Sequence, residues 1–551
     1  MFIRSKKVKG FEYLQLVESK REGARTKQIV LKSLGRLDTL QASGQLDGLL
    51  RSGARFSQRL AVLEAHEKRA EGAPVRSSII GPVVVFENIW KQVGIERILS
   101  LKQQERKYHF SLERAIFITV LHRLCVSGSD RAAEEWKQGY SIAQAEDIDL
   151  QHFYRAMAWL GEELDSEEQS GSTVFSRRCV KDEIEEALFY TRRDLFSGGL
   201  ALAFFDTTSL YFEGEGGEEL GERGNSKDSR PDLKQMVVGI VLDQDGNPLC
   251  SEMWPGNTTD VKTLVPVAGR LKSRFGIDKV CIVADRGMIS EESKSQITAL
   301  GWEYVLGVRM RRQKIVKEEV LSRAGRYEEV SAVSANKKDP APLKVKEVIA
   351  DGVRYIVCVN ETEAGVQQMA REAIVSSLRE QLKKGEKQLI GNKGYRKYLT
   401  TEKGRHFLID EEKIKEEARY DGKWVLTTNT DLPAAQVALK YKQLWTVEAI
   451  FRAMKTTLET RPIYHKRDET IRGHVFCSFL ALVLRKQLHD ALARRGWTCE
   501  WDAVIRDLNQ LSQIEVGLSG KQYLLRTDTQ GTAGKAVQAV GAALPPKVVQ
   551  Q

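Results

Sequence analysis

Three carboxylates stand where a carboxylate is costly or pointed. Asp206 lies in the middle of LAFFDTTSLYF (202–212), a stretch otherwise dominated by Leu, Ala and Phe. An ionised group in a buried strand is expensive unless it is paired or binds a metal. Asp285 ends a second apolar run, KVCIVA (279–284). Glu448 belongs to YKQLWTVEAIFRAMK (441–455), where Trp445, Val447, Phe451 and Met454 form an apolar stripe. Helical spacing puts Tyr441, Glu448, Arg452 and Lys455 on or near one face. Two strands and a helix can bring three such carboxylates around two Mg²⁺ ions roughly 4 Å apart, the arrangement used for in-line attack on phosphodiesters. Mg²⁺ takes few protein carboxylates and completes its shell with water and phosphate oxygens. Lys455 could then grip a phosphate. On spacing alone a structural reading stays open, because Asp often ends strands and a Glu–Arg i, i+4 pair often sits on a solvated helix face.

The elements that must position these groups are read from hydrophobic periodicity. The order after residue 196 is three strands (202–212, 236–242, 249–254), a helix (261–275), a strand (279–284), a helix (289–300) and a strand (302–308). Apolar strands alternating with helices imply an α/β sheet covered on both faces. Carboxylates at the ends of adjacent strands would then share one crevice. Residues 310–424 are charge-rich, with a strand at 354–359 and a polar helix at 362–385, and read as an insertion domain. A strand at WVLTTN (424–429) and a helical tract from 434 to 494 complete the core. Ahead of it, 76–195 reads as a helical domain. The opening 1–75 reads as a β-hairpin (11–18 with 28–34) and a helix (56–72). Residues 495–551 read as a C-terminal region with a flexible, Gly/Ala-rich tail.

The 551 residues carry 85 Lys+Arg against 75 Asp+Glu, a net charge of +10. Residues 1–36 hold ten Lys/Arg and three Glu, so most of the excess sits in this opening segment, which contains the hairpin. A basic arm on a nearly balanced body points to a polyanion or to a solvated surface. The longest apolar run, VFCSFLALVL (475–484), is about half the ~20 residues of a membrane span. MFIRSKKVKG has no apolar stretch behind it and does not read as a signal peptide. Seven scattered Cys without a C-x-x-C pair fit a reducing, cytoplasmic setting and no zinc pattern.

FFDTTSLYFEG (204–214), PGNTTD (255–260), VADRGM (283–288) and Tyr441-x2-Leu444-x3-Glu448-x6-Lys455 resemble the DDE transposases of bacterial insertion sequences. The resemblance is to those members whose third acid lies in a Tyr–Arg–Glu–Lys signature. GSDRAAEEW (128–136), RPIYHKRDETIRGHVFCSFLAL (461–482) and the hairpin ending in SLGRLD (33–38) extend it over nearly the whole chain. It implies an RNase H-like mixed sheet with flanking helices, interrupted by an insertion. Asp206, Asp285 and Glu448 would be the catalytic, metal-binding acids, and Tyr441, Arg452 and Lys455 would contact nucleic acid. The 163-residue gap between Asp285 and Glu448 matches members with an insertion there. Leu444 departs from the signature, standing where it has Arg, and Arg452 is the residue available to supply that contact. The implied cofactor is Mg²⁺, two ions, with Mn²⁺ able to substitute. The implied reaction is cleavage of the element's ends by water, followed by attack of the freed 3′-OH on target DNA. The implied partners are double-stranded DNA, as terminal inverted repeats and target, and a second copy of the chain on DNA. The implied location is the cytoplasm of a prokaryote, with the nucleoid. The competing expectations are a non-catalytic DNA-binding protein of transposase descent and an RNase H-like nuclease without strand transfer.

Several single residues have two readings each. Asp243 and Asp245 suit a hairpin turn better than a calcium loop, and Asp260 suits a helix cap or the rim of the site. Arg286 could touch a phosphate or pair with a carboxylate. Arg309, Arg311 and Arg312 could track phosphates or be solvated. His465 and His474 suit packing or hydrogen bonding better than a ligand role, and Trp254 and Trp302 suit the core better than stacking on an unpaired base.

Overall fold

The computed structural model describes residues 2–8, 10–22, 25–46, 49, 76–169, 177–192, 201–288, 290–330, 343–384, 397–402, 406–518 and 521–550. They fall into two compact units. One comprises Met1–Ser78, Leu511–Asp528 and Pro545–Gln551, the other Ile79–Gln510 and Thr529–Leu544. The expected helix at 56–72 lies outside the described residues.

In the first unit the basic hairpin is Phe11–Glu22 (β2) with Arg25–Arg36 (β3), and Phe2–Val8 (β1) adds a third antiparallel strand. Arg4 bridges the sheet, donating to Gln28 at 2.8 Å and to Gln15 at 3.2 Å. The short strand Ser77–Ile79 (β4) edges a second sheet, built with strands from the C-terminal region.

The large unit is built on one mixed sheet. Its strands are Leu202–Tyr211 (β5), Gln235–Leu242 (β6), Pro248–Pro255 (β7), Cys281–Ala284 (β8), Glu303–Gly307 (β9), Glu328–Val330 (β10), Leu343–Ala350 (β11), Val353–Asn360 (β12) and Lys423–Thr428 (β15). The order is β10-β11-β12-β15-β9-β8-β5-β6-β7. β5 and β8, and β8 and β9, are parallel; every other pairing is antiparallel. This is the expected mixed sheet with flanking helices, and the strands and helices follow one another along the chain in the expected order. Strands from the 310–424 segment pair onto its edge instead of forming only a sheet of their own. The helices Glu361–Lys384 and Glu411–Ala418 and the hairpin Leu399–Glu402 (β13) with His406–Ile409 (β14) also belong to that segment.

Side-chain alternation along the strands divides the interior in two. Leu202, Phe204 and Leu210 of β5, with Cys281 and Val283 of β8, face one core; Ala203 and Phe205, with Ile282 and Ala284, face the other. The second core is closed by the helices Leu264–Phe275 and Glu291–Ala299, through residues such as Leu271 and Ile297. The first is closed by the helices Ala434–Lys442, Trp445–Arg452 and Asp468–Arg494, and by Leu112–Cys125 from the N-terminal helical region. Val447 and Phe451 anchor the short helix Trp445–Arg452, each burial being worth about 1.5–3 kcal/mol.

The C-terminal tail differs from expectation. Ala533–Val540 is a helix whose Ala533, Ala536, Val537 and Val540 are buried, and Asn88 and Gln92 donate to the carbonyl of Val540. In the first unit, Ser512–Leu518 (β16), Lys521–Arg526 (β17) and Val548–Gln550 (β18) form the second sheet, in the order β18-β17-β16-β4. Among the described residues, no helix is long and apolar enough to cross a membrane.

Candidate active site

Asp206 and Asp285 are brought together by strand pairing. Phe205 of β5 lies beside Ala284 of its parallel neighbour β8, so the two aspartates come next, side by side, on strands spaced about 4.8 Å apart. Alternation sets both on the face of the sheet that carries the first core. The helix Trp445–Arg452 covers that same face through Val447 and Phe451 and presents Glu448, which is exposed. The three carboxylates do not converge to within 4.8 Å of one another.

Burial pushes the Asp206 carboxyl up to about 6, and the neighbouring Asp285 and Asp260 carboxylates push the same way, against Lys227 and the Thr207 N–H. The Thr207 N–H donates to Asp206 Oδ1 at 2.7 Å. Asp285 accepts from the Tyr441 hydroxyl at 2.8 Å. Burial and the Asp285 charge hold that phenol far above its ordinary range, so it stays protonated and remains a donor. The close approach needs a glycine: a Cβ on Gly307, at the end of β9, would stand 2.3 Å from the Tyr441 oxygen.

The expected phosphate-gripping residues are placed unequally. Arg452 is exposed. Lys455 sits in a π-turn, Ala453–Thr457, and pairs with Asp228 at 2.7 Å; burial lowers its pKa. Leu444 is 8% exposed and packs in the first core, where an arginine would need a partner for its charge.

A clasp around the site is built on Lys227, which lies outside the motifs. Lys227 Nζ donates to the Thr207 carbonyl and hydroxyl, both at 2.8 Å, and pairs with Asp260 Oδ2 at 3.2 Å. The Thr207 hydroxyl in turn donates to Asp260 Oδ1 at 2.7 Å. Asp260 therefore lines the site; the following helix starts at Leu264, with Thr263 at its N-cap position. Its membership in PGNTTD was the one sequence signal for it. The residue after Lys227, Asp228, holds Lys455 and lies 3.5 Å from Arg461. Lys227 and Asp228 thus tie the first-acid strand, the Asp260 turn and the Glu448–Lys455 helix together.

Other single residues also resolve. The Asp243 carboxylate accepts from the Asp245 and Asn247 N–H groups, as a turn requires. Arg309 donates to the carbonyls of Arg286 and Gly287. Trp302 is core, with its indole N–H on the Asp278 carbonyl.

The donor set suits a hard divalent cation: carboxylate oxygens on one sheet face, one of them half-buried beside others of like charge. A family model, the transposase DDE domain, matches residues 198–484. The chain belongs to the DDE transposases of insertion sequences. A second model, the N-terminal domain of IS1634 family transposases, matches residues 3–68 and takes in the basic hairpin. Among solved structures, this transposase is similar to a piggyBac transposase in a synaptic complex with hairpin DNA. The identity is 10% and the TM-score 0.38, covering 79% of this chain and 82% of that one. No curated protein matches.

Proposed function

We propose that this DNA transposase binds the terminal inverted repeats of its own element, cleaves the phosphodiester at each end and joins the freed 3′-OH to target DNA. Asp206, Asp285 and Glu448 are its metal ligands in this reading. Bound there, two Mg²⁺ ions would polarise the phosphodiester and make the attacking water a stronger nucleophile. Tyr441 fixes the rotamer of Asp285 by donating to one oxygen and leaves the other free. Lys227 holds Asp260 and Thr207, so that the strand carrying Asp206 keeps its place. Arg452, one turn past Glu448, faces solvent and takes the phosphate contact that Leu444 cannot make. The basic hairpin holds the ends, two of which are brought together by a homodimer acting in the cytoplasm on nucleoid DNA.

The pairing of Asp206 with Asp285, on the sheet face that carries the Glu448 helix, supports this reading most directly. The test is cleavage and strand transfer with Mg²⁺ on a labelled end duplex. Wild type should give nicked and joined products, and Asp206→Ala neither. Identical products from both proteins would end the catalytic reading, and nicks without joining would leave a nuclease. Deleting residues 2–36 should flatten the slope of log K against log salt for end binding.

A further inference from the structure

Asp285, Tyr441 and Glu448 open into a cavity of about 500 Å³ whose far wall comes from the 310–424 segment and the start of β15. That wall is basic. Arg311, Arg371, Lys397 and Lys423 line it, with Arg286 at the Asp285 end, against the carboxylates of Glu417 and Asp421. Glu417 takes Arg311 Nε at 3.1 Å and pairs with Lys397, while Asp421 takes Arg371 at 2.5 Å.

Donors are left over. Lys423 Nζ donates to the carbonyl of Arg419 at 2.9 Å, and among the described residues no carboxylate pairs with Lys423 or Arg286. Arg311 bonds Glu417 through Nε, leaving the terminal amines of its guanidinium. Trp424 lines the same cavity, with its indole nitrogen buried away from solvent. With Asp285 and Glu448 given to metal, five cations face two carboxylates. An oxygen-rich anion fits that surplus, and an apolar ligand does not.

We propose that this wall is a phosphate subsite. Arg311 and Lys423 hold a DNA backbone phosphate within one or two nucleotides of the scissile bond, with Arg286 between that phosphate and the acids. The proposal rests on the transposase reading and gives the 310–424 segment a substrate-positioning role.

The test uses full-length protein and end duplexes, each carrying one neutral methylphosphonate linkage at a different position around the cleavage point, with single-turnover cleavage as the readout. Arg311→Met/Lys423→Met should slow cleavage of the unmodified duplex about 10-fold, as expected for lost charge-assisted contacts. One neutral linkage near the scissile bond should slow the wild type by a similar factor and the variant hardly further. Lys423→Met alone should show the same non-additivity at the same linkage with about a 3-fold loss. Losses that add at every linkage in both variants would overturn the subsite while leaving the transposase reading intact. A wild type that cleaves no duplex would overturn the transposase reading, and the subsite with it.

Discussion

Asp130, His465 and His474 bring three metal-type ligand atoms within 4.8 Å of one another, which Asp206, Asp285 and Glu448 do not. By distance alone the first cluster is the better metal site, but its groups already bind one another and Arg123. Arg123 Nη2 lies 2.8 Å from His474 Nδ1. An arginine can only donate, so Nδ1 accepts and Nε2 carries the proton that goes to the Thr460 carbonyl at 3.1 Å. His465 Nε2 is 3.3 Å from Asp130 Oδ2. Burial would push the Asp130 carboxyl up, yet the His465 hydrogen bond and Arg123 hold it down at about 2. The cluster ties the helices Leu112–Cys125 and Asp468–Arg494 together with its charge already balanced. The acids on the sheet are the reverse, with surplus negative charge, an Asp206 carboxyl raised by burial, and Lys227 as the cation opposing it. Unpaired oxygens and unbalanced charge, more than proximity, mark the site that needs a metal.

The sharpest way to break this comparison is to remove one member of each cluster. Asp206→Asn or Asp285→Asn should lower single-turnover cleavage by about 10³-fold or more, since metal stabilisation of the transition state is worth several kcal/mol. End binding should persist. His474→Gln should leave cleavage at saturating Mg²⁺ within about 3-fold of wild type, an effect under ~1 kcal/mol. A loss from His474→Gln as large as that from Asp206→Asn would reverse the assignment.

Arg123→Met should instead strike stability. It strands Asp130 and the acceptor nitrogen of His474 without their buried cation, at a cost of about 3–5 kcal/mol. Thermal melting would show it, and an unchanged Tm would mean the cluster is not a lock.

The pH dependence should separate the clusters next. Burial first, with Arg123 adding, holds His474 well below the usual imidazole range and His122 down at about 4. Below about 6.5 the unfolded chain takes up protons that these folded histidines refuse, so stability falls as pH drops. The slope should approach about 1.4 kcal/mol per pH unit for each histidine between 6.5 and 4. Asp130 behaves oppositely: its folded pKa lies below the unfolded value, so its contribution is present above about 4 and is lost only as pH falls towards 2. His474→Gln should reduce the slope of urea-derived stability against pH over the upper window, and an unchanged slope would refute the buried neutral imidazole.

Legibility in the chain divides along the same line between local and distant. Asp206 and Asp285 stood out because each breaks or ends an apolar run, and the succession of apolar strands already put them at one crevice. Lys227 and Asp228 carried no such mark: NSKD in a loop looks solvated, and the Asp228–Lys455 bond spans 227 positions. Lys455 was expected over the Glu448 face from straight helical spacing. The π-turn at Ala453–Thr457 admits an extra residue per turn and rotates the side chains it carries, so Lys455 meets Asp228. Strands β11 and β12 gave no hint of joining the core sheet, because edge pairing with β15 is a non-local choice. In the C-terminal helix, Ala533, Ala536, Val537 and Val540 do keep helical spacing, but Gly534 within it and glycines at 531 and 541 beside it concealed it.

The smallest effect probes how tightly the acid site is built around its one tyrosine contact. The added methyl of Gly307→Ala cannot coexist with the Tyr441 hydroxyl where it stands. That hydroxyl is the far end of a side chain and could swing away, except that it is held at 2.8 Å by Asp285. The substitution should therefore cost about 1–2 kcal/mol and release Asp285 from its fixed rotamer. Tyr441→Phe removes the oxygen that collides, and leaves Asp285 equally unheld. In a double-mutant cycle Gly307→Ala should lower Tm and cleavage rate less on the Tyr441→Phe background than in wild type, the remaining cost coming from the ring Cζ at 3.0 Å and the Arg286 nitrogen at 3.1 Å. Costs that simply add would mean that Gly307 is needed for β9 itself, and that the tyrosine does not set the position of the second acid.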